Sequence, residues 1–263
     1  MKSLPIYQID AFTTELFKGN PAAVCPLEKW LPDELMQSIA TENNLSETAF
    51  IVPRGNDFEL RWFTPVSEIP LCGHATLACA YVLFECLGYN QSAVTFHSMS
   101  GALMVKREGK KFVLDFPSEM PQQIESSERL QQALKINPVE VYAGKRKLMA
   151  VLKNESEVRN VAPDFRLIKE LPHEGVIITA HGDEVDFVSR FFVPKMGIDE
   201  DPVTGSSHTL LTPFWGKQLN KTEMTALQVS SRGGALICRL KNDRVEMVGD
   251  AILYMKGELL LPL

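Results

Sequence analysis

Pro70-Leu71-Cys72-Gly73-His74-Ala75-Thr76 is the stretch on which the reading of this chain turns. It follows an aromatic run, Asp57 to Phe63, and opens an apolar one, Leu77 to Phe84, which stops at Gly88. A glycine where a strand hands over to a helix lets the backbone approach a ligand. The N–H groups of the helix's first turn can then hold an anion such as a carboxylate.

The chain does this twice. Asp57-Phe58-Glu59-Leu60-Arg61-Trp62-Phe63-Thr64-Pro65 aligns without gaps over Asp186-Phe187-Val188-Ser189-Arg190-Phe191-Phe192-Val193-Pro194, 129 residues later, with Asp, Phe, Arg, Phe and Pro in register. Each run leads through a polar connection to a glycine turn, Cys72-Gly73-His74 in the first half and Thr204-Gly205-Ser206 in the second, and then to an apolar run. Short strand patterns also recur by chance. Read as a duplication, the echo predicts two similar lobes of about 130 residues, close to the ordinary size of a domain. Each would aim a strand-glycine-helix turn at a shared cleft, for which a carboxylate is the natural ligand.

Composition narrows the function. The chain has 263 residues, 45% of them hydrophobic, and a formal net charge of −6. Its basic clusters, Lys106-Arg107 with Lys110-Lys111 and Lys145-Arg146-Lys147, read as solvated turns, so nucleic acid is not expected as a partner. No apolar stretch approaches the roughly 18 residues of a membrane helix, and the start runs directly into an alternating segment without a signal-peptide core. The expectation is a cytoplasmic chain without a membrane span. Five cysteines cannot all pair within the chain, and thiols are the default in a reducing compartment. Cys79 and Cys86 read as buried small hydrophobes. Cys72 differs because a helix start lowers a thiol pKa.

Along the chain, Ile6 to Phe12 alternates like a strand, and Pro32 to Ala40 reads as an amphipathic helix ending near Asn43-Asn44. Glu47 enters the apolar strand Thr48 to Val52. A carboxylate there lies either at a solvated edge or in a cleft where lost hydration raises its pKa. Ser46 and Asn43-Asn44 beside it are residues that commonly line polar pockets. His74 is the one histidine at a candidate anion turn, open to a structural or a functional role. Strands are expected at Thr95 to Ser100, Leu103 to Arg107 and Phe112 to Phe116, with a hairpin at Glu108-Gly109-Lys110. A hinge follows at Pro117 to Pro121, then a short helix at Ser127 to Leu134. Further strands are expected at Val139 to Tyr142, Lys147 to Leu152, Gly175 to Thr179 and Phe187 to Val193. Asp201 before Pro202 is placed at a loop apex, whereas Asp199 and Glu200 read as solvated. Pro213 is expected to end or kink its helix. Hairpin-like strands, Ala235 to Leu240, Val245 to Val248 and Ala251 to Leu253, close the chain.

The chemistry-bearing set is therefore two carboxylates (Glu47, Asp201), one imidazole (His74), one thiol (Cys72) and two helix starts. No metal-ligand spacing, phosphate loop or dinucleotide fingerprint accompanies it, so neither metal nor cofactor is expected. A base and an acid without cofactor suit proton transfer at a carbon next to a charge-holding group.

Gly19-Asn20-Pro21-Ala22-Ala23-Val24, Asn44-Leu45-Ser46-Glu47-Thr48-Ala49-Phe50, Phe63-Thr64-Pro65, Leu71 to Thr76 and Glu200 to Ser206 together resemble the PhzF phenazine-biosynthesis isomerase family, over most of the chain and in order. The resemblance implies an α+β fold with two pseudo-symmetric diaminopimelate epimerase-like lobes. Each is a curved mixed sheet or barrel around a central helix, with the site in the cleft between them. The lobes would be 1–118 and 119–263, the last strand being free to pack back on the first lobe. Glu47 would be the catalytic acid/base. His74 and Asp201 would polarise or orient the substrate, with Ser46 and Cys72 close by. Gly73 and the Thr204-Gly205-Ser206 turn would hold a substrate carboxylate. A homodimer is also implied.

The epimerase branch uses two facing cysteines, and Thr204 occupies the second position here, so two-thiol racemisation is in doubt. The expected function is isomerisation of a small carboxylic acid by moving a proton and double bond. Alternatives are a one-cysteine racemase using Cys72, a non-catalytic carboxylate-binding protein and, ranked below these, a serine hydrolase. Ser46 and Ser206 lack the nucleophile-elbow pattern.

Overall fold

Strands outnumber helices, as the short alternating runs predict, in a computed structural model that describes residues 2–261. These fall into two units, one formed by the chain up to Asp115 together with the segment from Val248 onward, the other by Phe116–Met247.

In the first unit the order is β1 (Lys2–Ala11), β2 (Asn20–Pro26), α1 (Asp33–Asn43), β3 (Glu47–Arg54), β4 (Asp57–Phe63), β5 (Glu68–Ile69), α2 (Gly73–Tyr81), β6 (Ala93–Ser98), β7 (Gly101–Glu108) and β8 (Lys111–Pro117). β1 runs antiparallel to β2, β2 parallel to β3, β3 antiparallel to β4 and β4 parallel to β6. β6, β7 and β8 follow as antiparallel neighbours, and β5 adds a short antiparallel edge to β4. Parallel neighbours need a crossover, and here α1 and α2 supply the two.

α2 is apolar on every side, and Gly73 through Ala80 are all buried. A helix without a polar face belongs in the interior. It loosens into a π-turn, Val82–Cys86, before Gly88 takes a left-handed φ of 70°. Cys79 is fully buried as expected, but Cys86 in that loosened turn is only partly so. α1 buries Met36, Ile39 and Ala40 and ends at Asn44 in the left-handed conformation. The two asparagines there make structural contacts. Asn44 caps the helix, and Asn43 Nδ2 donates to Thr48 Oγ1 at 3.0 Å.

The second unit contains β9 (Gln122–Ile124), α3 (Glu128–Leu134), β10 (Glu140–Ala143), β11 (Lys147–Val151), α4 (Glu155–Asn160), α5 (Phe165–Glu170), β12 (Gly175–His181), β13 (Phe187–Phe192), β14 (Glu200–Asp201), α6 (Gly205–Leu219), β15 (Glu223–Gln228), β16 (Gly234–Lys241) and β17 (Arg244–Gly249). Its pairings follow the first unit's order. β10 is antiparallel to β11, β11 parallel to β12, β12 antiparallel to β13 and β13 parallel to β15, with β14 as the short edge of β13. α6 stands where α2 stood. The last strand, β18 (Ala251–Leu261), belongs to the first unit and pairs antiparallel with the whole of β1, from Ala11 opposite Ala251 to Lys2 opposite Leu261. It is far longer than the three residues expected, because cross-strand pairing with β1 holds positions whose side chains are half-buried or exposed.

The echo in sequence is an echo in structure. Arg61 grips Glu68 with two parallel hydrogen bonds of 2.7 Å, and Arg190 grips Glu200 with two of 2.8 Å. Each guanidinium also lies over the equivalent ring, Phe63 at 5.2 Å and Phe192 at 4.9 Å. Such a fork fixes β5 or β14 beside its longer neighbour just before the glycine turn. Glu200 is thus a structural ion partner, not a solvated acid. Asp201 likewise lies within β14 opposite Phe191, not at a loop apex.

Pro213 does not end its helix. α6 continues to Leu219, because the carbonyl of Thr209 that proline leaves without a donor accepts the backbone N–H of Glu119 at 3.0 Å. A tertiary donor in that place removes much of the cost of an internal proline.

Candidate active site

The first set of residues grows from the start of α2. Cys72 is extended, with φ −144°, and its carbonyl accepts both the N–H and the hydroxyl of Thr76. That turn places His74, almost entirely buried, with one ring nitrogen on each side of a polar cluster. Nε2 lies 3.0 Å from Glu47 Oε2 at the head of β3. Nδ1 lies 3.1 Å from Asn20 Nδ2 and 3.5 Å from Cys72 Sγ. Asn20 Oδ1 accepts the Ser46 hydroxyl at 3.2 Å, which turns the asparagine's NH₂ toward the ring. Asn20 Nδ2 and Cys72 Sγ stand on the Nδ1 side of the ring, while Nε2 and Glu47 Oε2 lie 3.0 Å apart without the alignment of a hydrogen bond. Backbone geometry sets this up upstream. Gly19 has φ +64°, and a Cβ there would meet Ala11 O at 2.2 Å, so only glycine brings Asn20 into place.

The structure therefore joins Ser46, Glu47, Cys72 and His74, with Gly73 at the helix start. It adds Asn20, fully buried, whose role does not follow from the Gly19-Asn20-Pro21 motif. Its signal was a buried-type strand opening on an asparagine.

The donor atoms of Glu47, Cys72 and His74 all lie within 4.8 Å of one another, the types and spacing a metal ion could use. A ligating histidine offers a single nitrogen. Here Nδ1 faces Cys72 and Asn20 while Nε2 faces Glu47, so thiolate and carboxylate would have to converge on one edge of the ring, which this geometry does not provide. Polar groups at both ring edges suit proton-transfer chemistry.

The second set stands at the start of α6. Asp201 Oδ2 accepts the Thr204 hydroxyl at 2.6 Å. Gln228, fully buried at the end of β15, accepts the Thr204 backbone N–H at 2.8 Å and donates to Asp201 O at 2.7 Å and to Thr204 Oγ1 at 3.2 Å. The Thr204 carbonyl accepts from Ser207 Oγ and from His208 Nδ1, both at 2.8 Å. That is the counterpart of Thr76 capping Cys72. Burial holds His208 neutral, its pKa down at about 4 from an ordinary 6.5. Gly205 and Ser206 form the first helical turn, and Lys147 Nζ donates to Ser206 O at 3.3 Å. Asp201, Thr204, Gly205 and Ser206 are thus assembled as one group within the second unit.

Gln228 and Lys147 were missed. Gln228 ends the inward alternation Met224, Ala226, Gln228, a buried-polar signal on a strand that was not read. Lys147 was counted in a solvated basic turn. Lys145 and Arg146 are indeed exposed, but Lys147 is the first residue of β11 and is partly buried.

The chain is similar to known proteins in sequence and fold. A family model for phenazine biosynthesis-like proteins, PhzC-PhzF, matches residues 9–257. An uncharacterized isomerase of Pseudomonas aeruginosa is 52% identical over 258 residues, covering 98% of this chain and 99% of that protein. The crystal structure of a PhzF-family phenazine biosynthesis protein from Enterococcus faecalis matches with a TM-score of 0.97 and 52% identity, over 99% of this chain and 100% of that one. A hydroxyproline epimerase from Agrobacterium vitis, with bound trans-4-hydroxy-L-proline, matches with a TM-score of 0.62 at 9% identity over 98% of this chain and 92% of that one, a likeness of fold alone.

Proposed function

The chain belongs to the phenazine biosynthesis-like PhzC-PhzF family and is an isomerase, and from that premise we propose that it moves a proton and a double bond on a small carboxylic acid by general acid/base catalysis through Glu47. The observation that carries this reading is the 3.0 Å approach of His74 Nε2 to Glu47 Oε2, with Asn20 and Cys72 fixing the ring from its other edge. An imidazole at that distance is placed to orient the carboxylate, and a carboxylate is a base that can take a proton from carbon.

The step balances within the substrate. Glu47 removes a proton from the carbon next to the double bond. The released pair forms the new double bond, the electrons of the old one spread toward its far carbon, and the protonated Glu47 returns the proton there. His74 orients the carboxylate throughout, and no external electron donor is needed, so the reaction runs without cofactor. The family resemblance assigns Asp201 to the same reaction, and Asp201→Asn with turnover as the readout tests that assignment. It also implies a homodimer, tested by sedimentation velocity, and the thiol-bearing composition suits a cytoplasmic setting. Among the described residues no helix is long and apolar enough to cross a membrane.

Glu47→Gln tests the central role. The amide keeps the size and loses the base, so turnover should fall by about 10²- to 10⁴-fold while ligand affinity changes little. A glutamine variant with wild-type turnover removes the assignment. One observation favours a second reading, the one-cysteine racemase: Cys72 Sγ stands 3.5 Å from His74 Nδ1. Cys72→Ala should be inactive under that reading and should lose only part of its turnover under the first, in which Asn20 still holds the ring.

A further inference from the structure

We propose that Lys147 and the first turn of α6 form a carboxylate-binding site within the second unit, a step that rests on the isomerase reading for the ligand's chemical class and extends it. The ammonium sits at the head of β11, partly buried, with Nζ 3.3 Å from the Ser206 carbonyl and 5.8 Å from the centre of the Phe191 ring. Among the described residues none of the ion pairs includes it, although its neighbours are paired, Arg146 with Glu174 and Arg190 with Glu200. A cation that has lost part of its hydration and holds one long hydrogen bond to a neutral oxygen lacks an anionic partner. Burial pushes its pKa down, while the charges of Glu174, Glu119 and Asp201 pull the other way.

The internal echo shows that the fold does not require a lysine at this place. β2 and β3 run parallel with Ala22 opposite Glu47, and β11 and β12 run parallel with Lys147 opposite Gly175. The register places these pairs at equivalent points. Thr48, next to Glu47, pairs with Phe63, and Val176, next to Gly175, pairs with Phe192, the echo of Phe63. At one strand pair the chain carries an acid opposite a small residue, and at the other a base opposite a small residue. The acid is the proton carrier of the first unit, and the base is the charge left for a ligand in the second. Lys147 touches the helix turn that holds Gly205 and Ser206, where the positive end of a 15-residue helix adds to the same attraction for an anion.

The test is calorimetric titration of the wild type, Lys147→Met and Lys147→Arg with sodium malonate and sodium acetate at constant ionic strength. Malonate affinity should fall at least about tenfold in Lys147→Met and stay within about threefold in Lys147→Arg, as for loss and retention of a charge-assisted contact. Without ligand, Lys147→Met should melt no lower than wild type, since it removes an unpaired, partly buried charge. Wild-type malonate affinity in a folded Lys147→Met, or no binding of either probe by the wild type, overturns the inference. Should the methionine variant not fold, the wild-type Lys147 εCH₂ resonance decides by NMR: it shifts with malonate, or the inference is lost. Deuterium exchange through Glu47 with unchanged malonate affinity in Lys147→Met would remove this inference and leave the isomerase reading standing. Lys147-dependent binding without exchange on any substrate would do the reverse.

Discussion

Acidification should destabilise this protein through His208, and the size of the effect follows from the structure. The imidazole is fully buried in the first turns of α6. Nδ1 donates to the Thr204 carbonyl at 2.8 Å, the ring lies 6.0 Å from Phe187, and Nε2 meets no hydrogen-bond partner among the described residues. Charging it would place a cation among apolar groups, which is why burial holds its pKa at about 4 against 6.5 for a free histidine. In the unfolded chain the ring takes up a proton first, so between those two values the unfolded state binds more protons and stability rises with pH. The contribution is complete above the unfolded value and is lost as the pH falls toward the folded one. The 2.5-unit gap corresponds to about 3 kcal/mol at about 1.4 kcal/mol per unit. Urea unfolding followed by tryptophan fluorescence should therefore show wild type losing about 2 to 3 kcal/mol between roughly pH 7.5 and pH 4.5. His208→Asn keeps a donor for the Thr204 carbonyl and should be less stable at every pH, with a flatter profile. His173, whose pKa burial also lowers, remains in both proteins and cancels in the difference. Parallel pH profiles for the two proteins would mean that His208 does not carry the acid lability.

Three further outcomes rest on named contacts. Arg190→Met leaves Glu200 largely buried without its fork and should cost about 3 to 5 kcal/mol by chemical denaturation, more than the equivalent change at the better solvated Arg61. Gly19→Ala combines a left-handed φ with a Cβ 2.2 Å from Ala11 O and should cost at least about 1 to 3 kcal/mol, read as a lower melting temperature. Gln228→Leu leaves the Thr204 N–H buried and unsatisfied and should cost about 1 to 3 kcal/mol, read by denaturation.

The parts of the fold legible in sequence were those carried by local pattern. Asp57 to Pro65 and Asp186 to Pro194 share their residues because each must present an arginine to a glutamate and an aromatic ring beneath it, so a common physical task left a common signature. The two glycine turns were legible for the same reason. The arginine-glutamate forks themselves were hidden, because Glu68 and Glu200 lie at different distances beyond their arginines, the second connection being three residues longer. Pro213 misled because the donor that compensates it, the Glu119 N–H, comes from far along the chain. β18 was read too short because pairing with β1, more than 240 residues earlier, holds residues whose own pattern is weak. In the candidate site, Glu47 and His74 stood out by type and position. Asn20, Lys147 and Gln228 did not, since what makes each of them unusual is its burial and its partners, and both are set by tertiary structure.

The most direct measurement of the central claim is mass spectrometry of small unsaturated, amino and hydroxy carboxylic acids incubated with the protein in D₂O, for wild type and Glu47→Gln side by side. Wild type should incorporate one solvent deuterium at carbon in a responsive acid, and Glu47→Gln should not. Equal incorporation by both proteins would contradict the claim.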